Sequence, residues 1–305
     1  MENNKDIHIM EALGNAKVTV VNGKVISIDK PIIKTCPLFL KHRNIKELNE
    51  DTIKKNIEFR IQSFGLFTKD RVVEEKEQIV SFGTSEIFMT ALNKKMLDAV
   101  VIVSDCAGTV ITANPYLVQG LCGRISGIVK TTPIKEVIER INKANPNGDI
   151  LNEETAEINQ VKGVLKAIEL GFKNIGVSIA HPEQLKEIRQ IEEEYNLKNL
   201  KNNGEDGIKI CIFGVHTTGA DFNKYKSEIP EYDLIANCAS KSLYSLLKTD
   251  ENLKDVLKVQ AGKGVPIYAL SNFGKDLLLE RFKELDKKIY ICTEDNLPDI
   301  QEMPQ

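Results

Sequence analysis

The chain has no tryptophan, four histidines and six cysteines in 305 residues, and each scarcity removes a class of reading. Six cysteines are too few to staple a scaffold of this length. None of them forms a CxxC pair, so the spacing signature of zinc ribbons and dithiol redox motifs is missing. Neither a GxxxxGK[ST] loop nor a GxGxxG fingerprint occurs, which sets nucleotide binding aside as a first choice. No apolar run approaches the ~18 residues that span a bilayer, and the opening MENNKDIHIM has no apolar signal region. Charge of one sign is lacking too: 41 basic and 44 acidic residues are interspersed for a net charge of -3. The expectation is a cytoplasmic protein without a nucleic-acid or membrane partner, its cysteines present as thiols or metal ligands.

What remains is an alternation of apolar runs and amphipathic stretches. AKVTVVNGKVISI, residues 16–28, places Asn22-Gly23 between two alternating segments and predicts a β-hairpin at the head of an N-terminal module, residues 1–80. The polar leading segment that includes His8, and the segment around His42, read as solvated. A helix is expected over 44–64. From Ser81 onward, strands and helices alternate at the spacing of parallel βα units. One unit covers 81–148 and a second covers 149–305, with NPNGD at 145–149 as the boundary, a polar turn near 201–204, KIYIC as a last strand and an acidic tail. The expected fold class is α/β: a mostly parallel sheet with flanking helices, the hairpin module in front and two α/β subdomains.

The stretch AVVIVSDCAGTVITANP, residues 99–115, concentrates the chemical interest. Its β-branched run reads as a strand buried on both faces that breaks at Ser104, Asp105, Cys106 and Gly108, with Asn114-Pro115 starting a helix. Ligands of open α/β sheets lie outside the carboxyl ends of the strands, so reactive groups there are candidates for a site. Cys36, Cys106 and Cys238 all fall at predicted ends of extended segments and make a candidate ligand set for a metal or a [4Fe-4S] cluster with one open iron, whereas Cys211 and Cys292 read as structural and Cys122 as ambiguous. A second reading makes Cys106 a nucleophile beside Asp105, with His216 or His181 as its base. A third treats all the thiols as buried packing. Arg124, Lys130 and Thr131, with Thr217 and Thr218 after His216, have the donors to hold a small anionic ligand.

KTCPLF, NIEFRIQSFG, FGTSE, SDCAGTVITANP, LVQGLCGRISGIVKTTP, VHTTG and NCASK, spread over residues 34–241, resemble the motifs of methanogenesis marker protein 8, an archaeal family of unknown function. The resemblance implies a cytoplasmic archaeal protein that serves methanogenesis, with methyl-coenzyme M reductase or its maturation proteins as partners. It carries over no catalytic residues. An enzyme or cluster carrier using the strand-end cysteines and a non-catalytic assembly factor that docks through its polar loops both stay open.

Overall fold

In the computed structural model, residues 5–36, 40, 44–201, 207–253, 255–262, 264–291 and 293 are described. His42, Cys292, the 202–204 part of the polar turn and the acidic tail from 294 lie outside them. Two sheets organise the chain. The smaller is antiparallel, in the order β3 (Lys24–Ile28), β2 (Lys17–Val21), β1 (Ile7–Glu11), β6 (Ile128–Lys130). The Asn22-Gly23 turn forms as expected: both residues have positive φ, 50° and 71°, and Val21 pairs with Lys24 across it.

The larger sheet has eight strands, in the order β11 (Val259–Ala261), β12 (Ile267–Ala269), β10 (Leu234–Ala236), β9 (Lys209–Gly214), β8 (Asn174–Ile179), β4 (Ala99–Ser104), β5 (Gly108–Thr112), β7 (Asp149–Ile150). The central strands β4, β8, β9 and β10 run parallel. Both flanks turn back on them: β4–β5, β5–β7, β10–β12 and β11–β12 are antiparallel. The expectation of a mostly parallel sheet is therefore corrected to a mixed one. The cause is visible at residues 104–108, where Ser104 pairs with Gly108, so that Asp105, Cys106 and Ala107 make a three-residue hairpin turn and GTVIT is a strand.

Eight helices among the described residues cover these sheets: α1 (Glu50–Phe64), α2 (Thr84–Asn93), α3 (Pro115–Cys122), α4 (Lys135–Ala144), α5 (Gln160–Glu169), α6 (Gln184–Lys201), α7 (Lys241–Thr249) and α8 (Asn272–Lys283). Local chemistry sets their starts. Asn49 and Thr52 exchange side-chain to backbone hydrogen bonds of 2.9 Å in a capping box before α1, and Asn114 caps α3 with Pro115 at its first position. Gly65 ends α1 at φ 65°, where a Cβ would sit 2.2 Å from the Asp70 carbonyl oxygen.

Alternation along β4 divides the core of the large sheet. Val100 and Ile102 pack with α2, α3, α4 and α8 on one face, whereas Ala99 and Val101 pack with α5, α6 and α7 on the other. A third cluster joins the small sheet to α1 through Val18, Val20, Ile53 and Ile57. Two local readings change. His8 is not solvated: it lies on β1, whose inward positions are His8 and Met10, and it is fully buried. KIYIC forms no strand over its described residues, and Tyr290 and Ile291 stand exposed. Among the described residues no helix is long and apolar enough to cross a membrane.

Candidate functional site

A cleft of about 480 Å³ opens where the parallel strands end, between the two sheets. Its floor comes from the carboxyl ends of three neighbouring strands: Val103 of β4, Ser178 with Ala180 and His181 beyond β8, and Val215 with His216 beyond β9. The opposite wall is the segment 122–129, which joins α3 to β6, together with Arg60 and Phe64 of α1. Isoleucine, valine and phenylalanine side chains make much of the lining, with Arg60, Glu86, Arg124, Gln160, His181, Gln184 and His216 set among them. Pockets with few polar groups on an apolar surface are the usual form of small-molecule sites.

Arg124 is held in the wall by an aromatic ring and two carboxylates. Its guanidinium carbon lies 4.3 Å above the centre of the Phe64 ring, and Nη2 is 3.4 Å from Glu75 and 3.8 Å from Glu77. The Glu75 carboxyl is held below its usual value mainly by the backbone N–H of Glu77, with Arg124 contributing. Arg124 Nε is buried and has no hydrogen-bond partner among the described residues. Glu86, in the first turn of α2, is bound up differently: its carboxylate accepts from the N–H groups of Ile79 and Val80, from Gln119 Nε2 and from Ser85 Oγ. It thereby pins the 79–80 segment to the start of a helix whose N-cap, Gly83, makes no side-chain cap hydrogen bond.

His216 has left-handed backbone, φ 55°, and its Nε2 is 2.8 Å from Glu11 Oε2 and 3.2 Å from Asn15 Oδ1. These contacts tie the end of β9 to β1 of the small sheet. The hydrogen bond from His216 keeps the Glu11 carboxyl below its usual value despite burial, and the nearby His181 adds in the same direction.

The cysteines and their neighbours occupy other places. Cys106 is in the hairpin turn at φ 67°, fully buried, and does not line the cleft. Burial pushes its thiol well above the usual value, and the Asp105 charge adds to that. Asp105 is engaged on both oxygens, by Arg71 Nε and by the Phe67 N–H, each at 2.8 Å. Thr131 is buried behind the turn, accepting from the Cys106 N–H at 2.7 Å and contacting His8 Nδ1 at 2.7 Å, whereas Lys130 points outward on β6. Thr217 braces β9 to β10, donating to the Ala236 carbonyl and accepting from the Cys238 N–H; Thr218 follows in the same loop.

Cys238 is pushed up to about 11, first by burial and then by the neighbouring Cys36 thiol. The groups that perturb Cys106 are instead Asp105, Arg71 and Asp6. Cys238 follows β10, whereas Cys106 follows β4, three strands away across the sheet. Among the described residues no three His, Cys, Asp or Glu side chains are grouped so as to hold a metal ion. Cys122 does line the cleft, and burial pushes its thiol up to about 12.

Of the residues singled out in the sequence, the fold brings Arg124, His181, His216 and Cys122 to one cleft, at the strand edge where a site was expected. It adds Glu11, Arg60 and Glu86, of which Glu86 and Arg60 fell inside motifs already quoted. Glu11 gave no signal, because it reaches the site only through the pairing of β1 with β6.

Such an arrangement defines an α/β protein with a crevice at the carboxyl ends of its parallel strands, the place where ligands of open α/β sheets lie. The chain belongs to an archaeal family, described as "Uncharacterized protein conserved in archaea (DUF2099)", whose profile matches residues 8–283. It is 55% identical over 294 residues, 96% of either chain, to "Uncharacterized protein MJ0054" of Methanocaldococcus jannaschii. No solved structure matches it. The archaeal family expected from the motifs is borne out, without extending to the methanogenesis marker name.

Proposed function

We propose that the protein binds an amphipathic organic anion in this cleft, its apolar body on the strand-end floor and its carboxylate or phosphate toward Arg124. The observation that carries the reading is Arg124 Nε, a buried donor without a protein acceptor in the wall of an apolar cleft. A buried N–H left unpaired costs roughly 1–3 kcal/mol, more when charged, and a turn of the guanidinium that brings Nε to the cleft surface lets a ligand oxygen relieve it. The resemblance to methanogenesis marker protein 8 supports setting this binding in the service of methanogenesis, with methyl-coenzyme M reductase or its maturation proteins as recipients. Normal methane production in a strain lacking the gene would remove that setting.

The binding itself is tested with two dyes of similar shape, anionic 8-anilinonaphthalene-1-sulfonate and neutral N-phenyl-1-naphthylamine, followed by fluorescence. Arg124→Met should weaken the anionic dye about tenfold, the value of one charge-assisted hydrogen bond, and leave the neutral dye unchanged. Equal loss of both dyes, or loss of neither, would refute an anion site at Arg124.

A further inference from the structure

The two ring nitrogens of His216 are in different situations. Nε2 faces two oxygens, Glu11 Oε2 at 2.8 Å and Asn15 Oδ1 at 3.2 Å. A carboxylate only accepts, so Nε2 is the donor and, in the neutral ring, Nδ1 carries the lone pair. Nδ1 has no hydrogen-bond partner among the described residues and is not one of the buried atoms left without one. His216 lines the cleft, so this basic nitrogen is reachable from it.

Two further features hold the ring in place. Gly127 lies against its far edge: a Cβ there would come 2.7 Å from Cε1 and 3.0 Å from Nε2. The backbone of His216 is left-handed, a conformation that non-glycine residues adopt at a cost and that concentrates at functional sites. A carboxylate that fixes one imidazole nitrogen while the other stays open is the arrangement of a general base and its orienting group. The charged and titratable groups around the pair are Lys17 from the small sheet, His181 beyond β8 and Arg124 from the opposite wall.

We propose that His216 and Glu11 form a proton-transfer pair in this cleft, acting on a carbonyl-bearing organic anion, with His216 Nδ1 as the catalytic base and Glu11 as its positioning residue. The inference rests on the cleft being an anion site. In the step, the C–H bond beside the substrate carbonyl breaks and its proton forms an N–H bond at Nδ1. The electron pair moves into the carbonyl as an enolate, while Glu11 balances the imidazolium. Return of the proton to the same or a neighbouring carbon completes an exchange or an isomerisation, with no oxidant or reductant.

The test uses the full-length protein with 4-phenyl-2-oxobutanoate and 2-oxooctanoate in D2O, following deuterium entry at the carbon next to the ketone by NMR. Wild-type protein should exceed the buffer rate at least tenfold with one of them. His216→Asn, which keeps a side chain tolerant of left-handed backbone, should abolish the excess. Glu11→Gln should reduce it and Glu11→Asp should restore part of it. In parallel, peptide mass spectrometry of diethylpyrocarbonate-treated protein should find His216 acylated at least fivefold faster in Glu11→Gln, which leaves Nε2 without its carboxylate partner. Exchange at the buffer rate with both acids, or acylation of His216 indifferent to Glu11→Gln, overturns the proposal. Dye binding that depends on Arg124 alongside absent exchange sinks the proton-transfer step alone; the reverse pattern sinks the anion-binding reading and leaves the base.

Discussion

Arg71 Nε lies 2.8 Å from Asp105 Oδ1, and neither side chain exposes any surface. Arg71 also donates to the backbone carbonyls of Val72, Gly120 and Leu121, and the second Asp105 oxygen accepts from the Phe67 N–H. The pair therefore fastens three segments together: the hairpin turn of the large sheet, the loop that follows α1, and the end of α3. Every oxygen of Asp105 is in use, which explains how a carboxylate survives at the centre of the protein.

Breaking that pair on one side should be far worse than removing both charges. Arg71→Met leaves Asp105 buried and uncompensated, with an expected loss of about 3–5 kcal/mol in urea unfolding. Arg71→Met combined with Asp105→Leu should recover part of it. A double variant at least as unstable as the single one would mean that the pair's hydrogen bonds to the backbone outweigh its charges.

Gly108 closes the same turn at φ 75°, and a Cβ there would sit 2.3 Å from the Ala156 carbonyl oxygen. Gly108→Ala adds backbone strain to a clash with an immovable group, so thermal unfolding should fall by several degrees or the protein should fail to accumulate. An unchanged melting temperature would show that the 152–157 loop gives way freely.

The thiols respond to alkali in a defined direction. Cys106 and Cys211 are held well above the usual 9.0, Cys122 at about 12 and Cys238 at about 11, all chiefly by burial. Because the unfolded chain ionises first, these groups favour folding fully below pH 9 and progressively lose that contribution as pH rises toward their folded values. Native protein at pH 8 should therefore label slowly with iodoacetamide at Cys106, and urea should release it. Rapid native labelling of Cys106 would contradict its burial in the turn.

Glu11 works at the acid end. Its folded value lies below the ordinary 4.5, first because of the hydrogen bond from His216, so its contribution is present above pH 4.5 and is lost as pH falls through the folded value. Glu11→Gln should flatten the acid limb of stability against pH without moving the alkaline limb. An acid limb identical to that of the wild type would mean that the contact between the two sheets contributes nothing at equilibrium.

Much of the local structure was legible in the sequence, because its causes lie within a few residues. Asn22-Gly23 forces positive φ and makes the hairpin, Asn114-Pro115 caps α3, and the β-branched run 99–103 is a central strand packed on both faces. The sequence also pointed to the strand ends and to His216 and Arg124. It did not show that GTVIT turns back as a strand, since residues that read as a loop at a strand's end serve equally well as a tight turn, and only the pairing of Ser104 with Gly108 makes the hairpin.

What the tertiary structure alone decided is which distant groups meet. Glu11 and His216 are 205 positions apart, and β1 reaches the cleft by pairing with β6. His8 is buried because that pairing turns one face of β1 inward, so that His8 and Met10 share the core side of the strand. Strand pairing depends on which edges and apolar faces the rest of the fold leaves available, and that choice is written in no single stretch of the chain.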